Sequence, residues 1–265
     1  MLVNAQDKLN WIFQQSDWFQ AGVFTVHGLI VLGISYGFLL IFNRRSDTIS
    51  WTPVGPYFAS LSVVFSLFLA FHANNVWTHK NQAERSFIEA GTSIKRMDEL
   101  LSPGELNLPE ARLQLQRYVK YVFKDEWRKH RNRRPSERAD SALRELQVQV
   151  VKAIPGLAPP SASQLNLLLN EVSRTRSDRL WIGSNYTEAI SWFAVLALGL
   201  LTHLAIASIH FDKPRAGLIA LILLSLATTT SYWSLGIVID PYRETEQLNP
   251  INWLKLDLVA DGGAL

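Results

Sequence analysis

The side chains able to do chemistry in this chain sit in unusual company. His27, His72 and His203 each lie inside a long apolar run. An imidazole held there offers a proton, a metal lone pair or a hydrogen bond across a bundle interior. His72 and His79 are seven apart, as are His203 and His210. On a helix that spacing gives one shared face but a separation of about 10 Å, too far for a single metal ion. Gly33-Ile34-Ser35-Tyr36-Gly37 fits the nucleophile pattern G-x-S-x-G, which requires a strand before it and a turn at the serine. Here it falls in the middle of an apolar run, so the match is one of chance. No Walker loop, G-x-G-x-x-G or H-E-x-x-H occurs. With no cysteine in 265 residues, disulfides, thiolate zinc sites, iron–sulfur clusters and cysteine nucleophiles are excluded. No enzymatic activity, cofactor or metal site is expected.

The elements that hold these residues are set by where charge is missing. The mean hydropathy of +0.06 resembles that of a soluble protein, but it averages two materials. Residues 21–43, 51–77, 189–211 and 216–239 contain no Asp, Glu, Lys or Arg, and all 26 basic and 23 acidic residues lie elsewhere. Each stretch exceeds the roughly 20 residues that cross a bilayer core as a helix. The expected fold is an all-α integral membrane protein with four transmembrane helices. Residues 1–20, carrying Trp11, Phe13, Trp18 and Phe19, read as an interfacial segment. Residues 21–77 hold the first two spans, 78–185 a helical bundle, 186–239 spans three and four, and 240–265 a tail.

An even number of spans places both termini and the central body on one side. That side collects 22 of the 26 basic residues, including Lys80 and Arg85 after span two and Arg174, Arg176 and Arg179 before span three. The positive-inside bias makes the cytoplasm its expected side, in a multi-pass membrane protein. In the body, Thr78–Leu101 should continue span two. Further helices are expected over Pro109–Arg131, Ser136–Ile154 and Ser161–Ser184, the last running into span three, separated by Pro103-Gly104, Pro135 and Pro155-Gly156. Leu113, Leu115, Val119, Val122, Phe123 and Trp127 recur at helical steps, as do Leu143, Leu146, Val150 and Val151, and such stripes pack a bundle core. Two body helices of similar length, one outgoing and one returning, would bring Arg128, Lys129, Arg131, Arg133 and Arg134 back towards the bilayer. There they could meet anionic lipid headgroups, rim an anion-concentrating vestibule, or form a solvated basic loop.

Span two carries Ser60, Ser62, Ser66, Asn74 and Asn75. Ser60, Val64, Phe68 and Phe71 share one face, and Asn74 and Asn75 follow. Either helix–helix packing or a pore lining accounts for such a face. Span four carries Thr228-Thr229-Thr230-Ser231, residues that commonly bond back to their own helix.

Two short motifs border these spans. Phe68-Leu69-Ala70-Phe71-His72-Ala73-Asn74-Asn75, with Trp77 after it, resembles the bacterial bestrophin signature F-L-x-F-R-x-N. After span four, Ile239-Asp240-Pro241-Tyr242, followed by Asn249-Pro250-Ile251, resembles the family's I-E-N-P-F element. The chain is similar to the bacterial bestrophin-like domain family, related to the bestrophin ion channels, over roughly residues 21–255. Two departures stand out: His72 replaces the motif's Arg, and Asp240, Glu244 and Glu246 are too sparse for the calcium clasp of the animal proteins.

The resemblance implies a symmetric homo-oligomer, a pentamer in that family, conducting inorganic ions along span two. The neck would fall at Pro56, Ser60 and Val64, with Phe68 and Phe71 continuing the lining. Two of the three neck residues are small or polar where bulky apolar groups gate by dewetting, so a wetter neck is expected. The alternative reading is a non-conducting sensor or scaffold whose basic body binds anionic lipid or a partner. Membrane lipids and ions are expected partners; nucleic acid is not.

Overall fold

The computed structural model describes residues 2–44, 55–185 and 188–243, with the backbone alone for 2–6, 55 and 57. Trp51, Pro53, Arg45, the acidic pair Glu244 and Glu246, and Asn249-Pro250-Ile251 lie outside the described residues. The described chain is all helical: α1 (Leu2–Gln14), α2 (Asp17–Asn43), α3 (Gly55–Leu101), α4 (Pro109–Tyr121), a π-helical segment (Val122–Lys129), α5 (Glu137–Ala153), α6 (Pro159–Ser184), α7 (Ala189–Ile209) and α8 (Pro214–Val238). The chain divides into two compact units, one of residues 2–78 and 188–240, the other of 79–185 and 241–243 among those described.

In the first unit, α2, the first half of α3, α7 and α8 follow the four uncharged stretches as far as these are described, and among the described residues four helical runs are long and apolar enough to cross a membrane. The protein is a multi-pass membrane protein. Ser16 opens α2, its hydroxyl accepting from Phe19 N at 3.3 Å with Asp17 in the first turn. The helices pack through Leu39, Ile206, Ala207 and Leu221. Gly28 of α2 lies so close to Thr229 of α8 that a Cβ would collide with the threonine hydroxyl, the close approach small residues allow between membrane helices. Leu29, Ile30, Phe193, Ile219, Leu223 and Leu226 remain exposed, as apolar groups do when hydrocarbon is the solvent. α1 is pinned by Phe13, whose ring centroid lies 5.0 Å from that of Trp192 and 6.3 Å from that of Phe24. Trp11, Trp18 and Phe19 stay exposed.

The second unit is a bundle of the second half of α3 with α4, α5 and α6. Its core contains Ile94, Met97, Leu101, Leu115, Tyr118, Val122, Leu146, Val150, Leu165 and Val172. Two apolar residues expected in that core face outward instead: Leu113 and Val151 are 47% and 62% exposed. The true stripes, Ala111-Leu115-Tyr118-Val122 and Leu143-Leu146-Val150, leave no room on the core face for either. Ser136 caps α5, as its position in the sequence suggests, accepting from Ala139 N at 3.4 Å. α6 ends at Ser184, before α7 opens at Ala189.

The expected helix over Pro109–Arg131 differs from the observed one. Regular α-helix stops at Tyr121 and the wider π segment takes over. It closes with His130 N donating to Asp125 O at 3.1 Å and Asn132 N to Glu126 O at 2.7 Å, and Arg131 and Asn132 turn into the left-handed region, φ 47° and 57°. Two consecutive carboxylates of this segment, Asp125 and Glu126, are buried.

Candidate functional site

The membrane half of α3 has two distinct faces. Phe58, Phe65 and His72, seven apart, lie on the inner one: Phe58 packs against the Leu39 cluster, while Phe65 and His72 are buried. Pro56, Ser60, Val64, Phe68 and Phe71 centre about 120° further round the helix, and all five are exposed within the protomer. Val63 and Leu67 widen this open face. Ser60 Oγ donates to Pro56 O at 3.0 Å, which turns its lone pairs away from the helix axis. Asn74 and Asn75 continue the exposed side, without charge from Pro56 to Thr78.

The three intramembrane histidines face inward to different degrees. His203 is fully enclosed; its Nδ1 lies 2.7 Å from Gly199 O and its Nε2 3.1 Å from Ser225 Oγ. A carbonyl only accepts, so Nδ1 carries the proton and Nε2 receives the serine hydroxyl. His27 is half-buried, its ring 5.9 Å from that of Tyr232 in an edge arrangement. His72 joins α3 to α7: Nδ1 is 2.7 Å from Ser191 Oγ, and the ring meets Trp192 edge-on at 4.6 Å. In α8, Thr228 and Ser231 bond back to Leu224 O and Ala227 O, as their residue types suggest.

The basic cluster of the second unit is split by the π segment and its turn. Arg128, Lys129 and Arg134 are exposed, whereas Arg131 and Arg133 are half-buried. Arg128 lies over the Phe123 ring, 5.5 Å from its centroid. Beneath them is an ionic network that sequence reasoning missed. Glu126 receives Arg179 Nη2 at 2.6 Å and is gripped by Arg176, which also reaches Asp140. Asp125 binds Ser136 Oγ at 2.9 Å and Arg138 at 2.6 Å. Tyr118, buried beside this network, has its phenol pushed up to about 12 by burial. A signal was present: the apolar stripe Leu165-Leu169-Val172 continues at the same spacing into Arg176 and Arg179. Arginines on a core stripe call for a buried acid.

Of the element after α8, Asp240, Pro241 and Tyr242 are all buried. Tyr242 packs with Ala83 and Ile182, its ring edge-on to Trp127 at 5.3 Å.

The fold and these features define an all-α, four-span membrane protein with a helical bundle inserted between spans two and three. The chain belongs to the Bestrophin-like family, whose domain matches residues 28–245. None of the curated proteins matches it. Among solved structures, a proline-to-alanine variant of a membrane protein superposes with a TM-score of 0.66 at 14% identity, covering 87% of this chain and 98% of the other. A tryptophan-to-alanine variant of a bacterial bestrophin homolog from Klebsiella pneumoniae gives 0.64 at 13%, covering 90% and 94%. A tyrosine-to-alanine variant of the Klebsiella homolog gives 0.62 at 13%, covering 87% and 97%. At such identities the likeness speaks for the fold.

Proposed function

We propose that this protein is a homo-oligomeric ion channel of the inner membrane, with copies of α3 surrounding a central pore. The observation that carries this reading is the open face of α3: Pro56, Ser60, Val64, Phe68 and Phe71 stay exposed in the protomer while the Phe58-Phe65-His72 stripe is packed. Lipid alone would not need Ser60 there, or the run of amides that follows. Four helices in one protomer leave little room for an aqueous path, so the pore forms between copies; five is the number the family resemblance suggests. Pro56, Ser60 and Val64 form the neck, and its small and polar groups hold water more readily than rings of bulky apolar side chains.

The second unit forms a cytoplasmic vestibule. Its exposed Arg128, Lys129 and Arg134 draw anions or anionic lipid headgroups to that surface, and inorganic ions are the permeant species. The test is reconstitution of the purified protein into planar bilayers. Single-channel currents are expected. Their absence across salts and voltages overturns the reading, as does a strictly monomeric particle in detergent.

A further inference from the structure

His72 is a buried ionisable residue on the packed stripe of the membrane half of α3, and it sits in a pocket that suits its neutral form. The side chain is 5% exposed. Its Nδ1 is engaged by Ser191 Oγ at 2.7 Å, while its buried Nε2 meets no partner. Either neutral tautomer leaves one bare ring nitrogen. Protonation turns Nε2 into a second N–H donor with nothing to receive it, and sets a full charge beside Trp192. A buried donor without an acceptor and a desolvated cation are both unfavourable.

The surroundings offer little compensation inside the pocket. On α7, Ser191 and Trp192 contact the ring, and Glu188, at the N-cap, is the charged group acting on it among the described residues. Glu188 is exposed, so it attracts an imidazolium outward. Phe13 of α1 and Phe24 of α2, which also pack on Trp192, bring no charge. On α3 itself, Phe65 lies a heptad before His72 on the same stripe, and it is apolar.

We infer that His72 is a positioning residue for α3: neutral, it latches the helix to α7 through Ser191, and protonated, it releases it. One bound proton shifts the latched and released populations by up to about tenfold per pH unit in each protomer. The latched stripe and the open face lie on different sides of α3. Release therefore lets the open face move away from α7.

The consequence for current rests on the channel reading; the latch itself does not. If α3 lines a pore, release in acid lets it drift towards the axis and narrow the path. Planar-bilayer current from the wild type is expected to fall roughly fivefold or more between pH 8 and pH 5. His72→Gln, which does not titrate, gives a flat profile, and so does His72→Arg, which stays charged. Ser191→Ala removes the hydroxyl but keeps the imidazole, and so retains a pH dependence with a displaced midpoint. A wild-type profile that coincides with that of His72→Gln overturns the proposal.

A second readout needs no conduction. An imidazolium in contact with an indole quenches its fluorescence, so a tryptophan emission titration of the detergent-solubilised protein follows His72 beside Trp192. A titration step in the wild type that is missing in His72→Gln supports the latch whether or not current is seen. Identical titrations for the two proteins overturn it.

Discussion

Arg179 Nη2 lies 2.6 Å from Glu126 Oε2, and both side chains are shut off from water, at 1% and 0% exposure. The two residues stand 53 positions apart. Arg176 shares the carboxylate, so two guanidinium groups converge on one acid on the π segment. Breaking a buried pair by removing one partner leaves a desolvated charge behind, which typically costs about 3–5 kcal/mol.

Glu126→Gln should therefore lower the stability of the second unit by about 3 kcal/mol, read as a lower melting temperature of the detergent-solubilised protein. Arg174→Ala is the contrasting variant. Arg174 has more ion-pair partners, Glu89, Glu171 and Asp178, but all are exposed. Surface pairs are screened and contribute little, so its melting curve should overlay the wild type. A larger loss at Arg174 than at Glu126 would contradict the ranking by burial.

Gly183→Ala should be costly and Gly156→Ala should not. A Cβ on Gly183 would strike the backbone carbonyl of Asn132, which the left-handed turn fixes in place, whereas nothing lies within 4 Å of one on Gly156. Overpacking against backbone costs about 1–3 kcal/mol, while Gly→Ala at an open site is neutral or slightly stabilising. Thermal unfolding of both variants checks the prediction.

Ser60→Trp should cut single-channel conductance to a small fraction of wild type, since an indole at a neck position fills the path in every copy. Ser163→Trp, at an exposed position early in α6, should conduct normally. Ser136 makes a poor control, because its backbone N–H and hydroxyl bind Glu126 and Asp125. Equal conductance in both tryptophan variants would count against α3 as the lining.

Replacing Arg128, Lys129 and Arg134 together by Gln should weaken retention of anionic lipid. At about 1 kcal/mol per basic group near a charged surface, the three exposed cations are worth two orders of magnitude in binding. The measurement is the anionic-lipid-induced rise in melting temperature, expected for the wild type and much reduced in the triple variant. An equal rise in both proteins would remove lipid contact from the role of this surface.

Much of the architecture was legible because its cause is local. Four runs without charge define four spans wherever the chain goes, since an uncompensated charge in hydrocarbon is unfavourable in any fold. Ser136 could be read as a helix cap, because a hydroxyl satisfies an open amide two or three residues away. Phe68 to Asn75 and Ile239 to Tyr242 pointed to the family. The expected continuation of span two past Thr78 appears as one helix to Leu101.

What the tertiary structure decided were matters of pairing at long range. Periodicity put Ser60, Val64 and Phe71 on one face, but only the neighbours of α3 show that Phe58, Phe65 and His72 are the packed side. Nothing local announces that Pro109–Lys129 changes from α to π after Tyr121. Asp125 and Glu126 of that segment are both inside, engaged by partners from Ser136 to Arg179; the arginines on the α6 stripe announce a buried acid, but no local pattern says which one. The sequence alone determined where the chain meets hydrocarbon, because desolvation acts on each residue type by itself. The fold decided which buried charges and hydrogen bonds are satisfied, because those energies exist only between residues that folding has placed within reach.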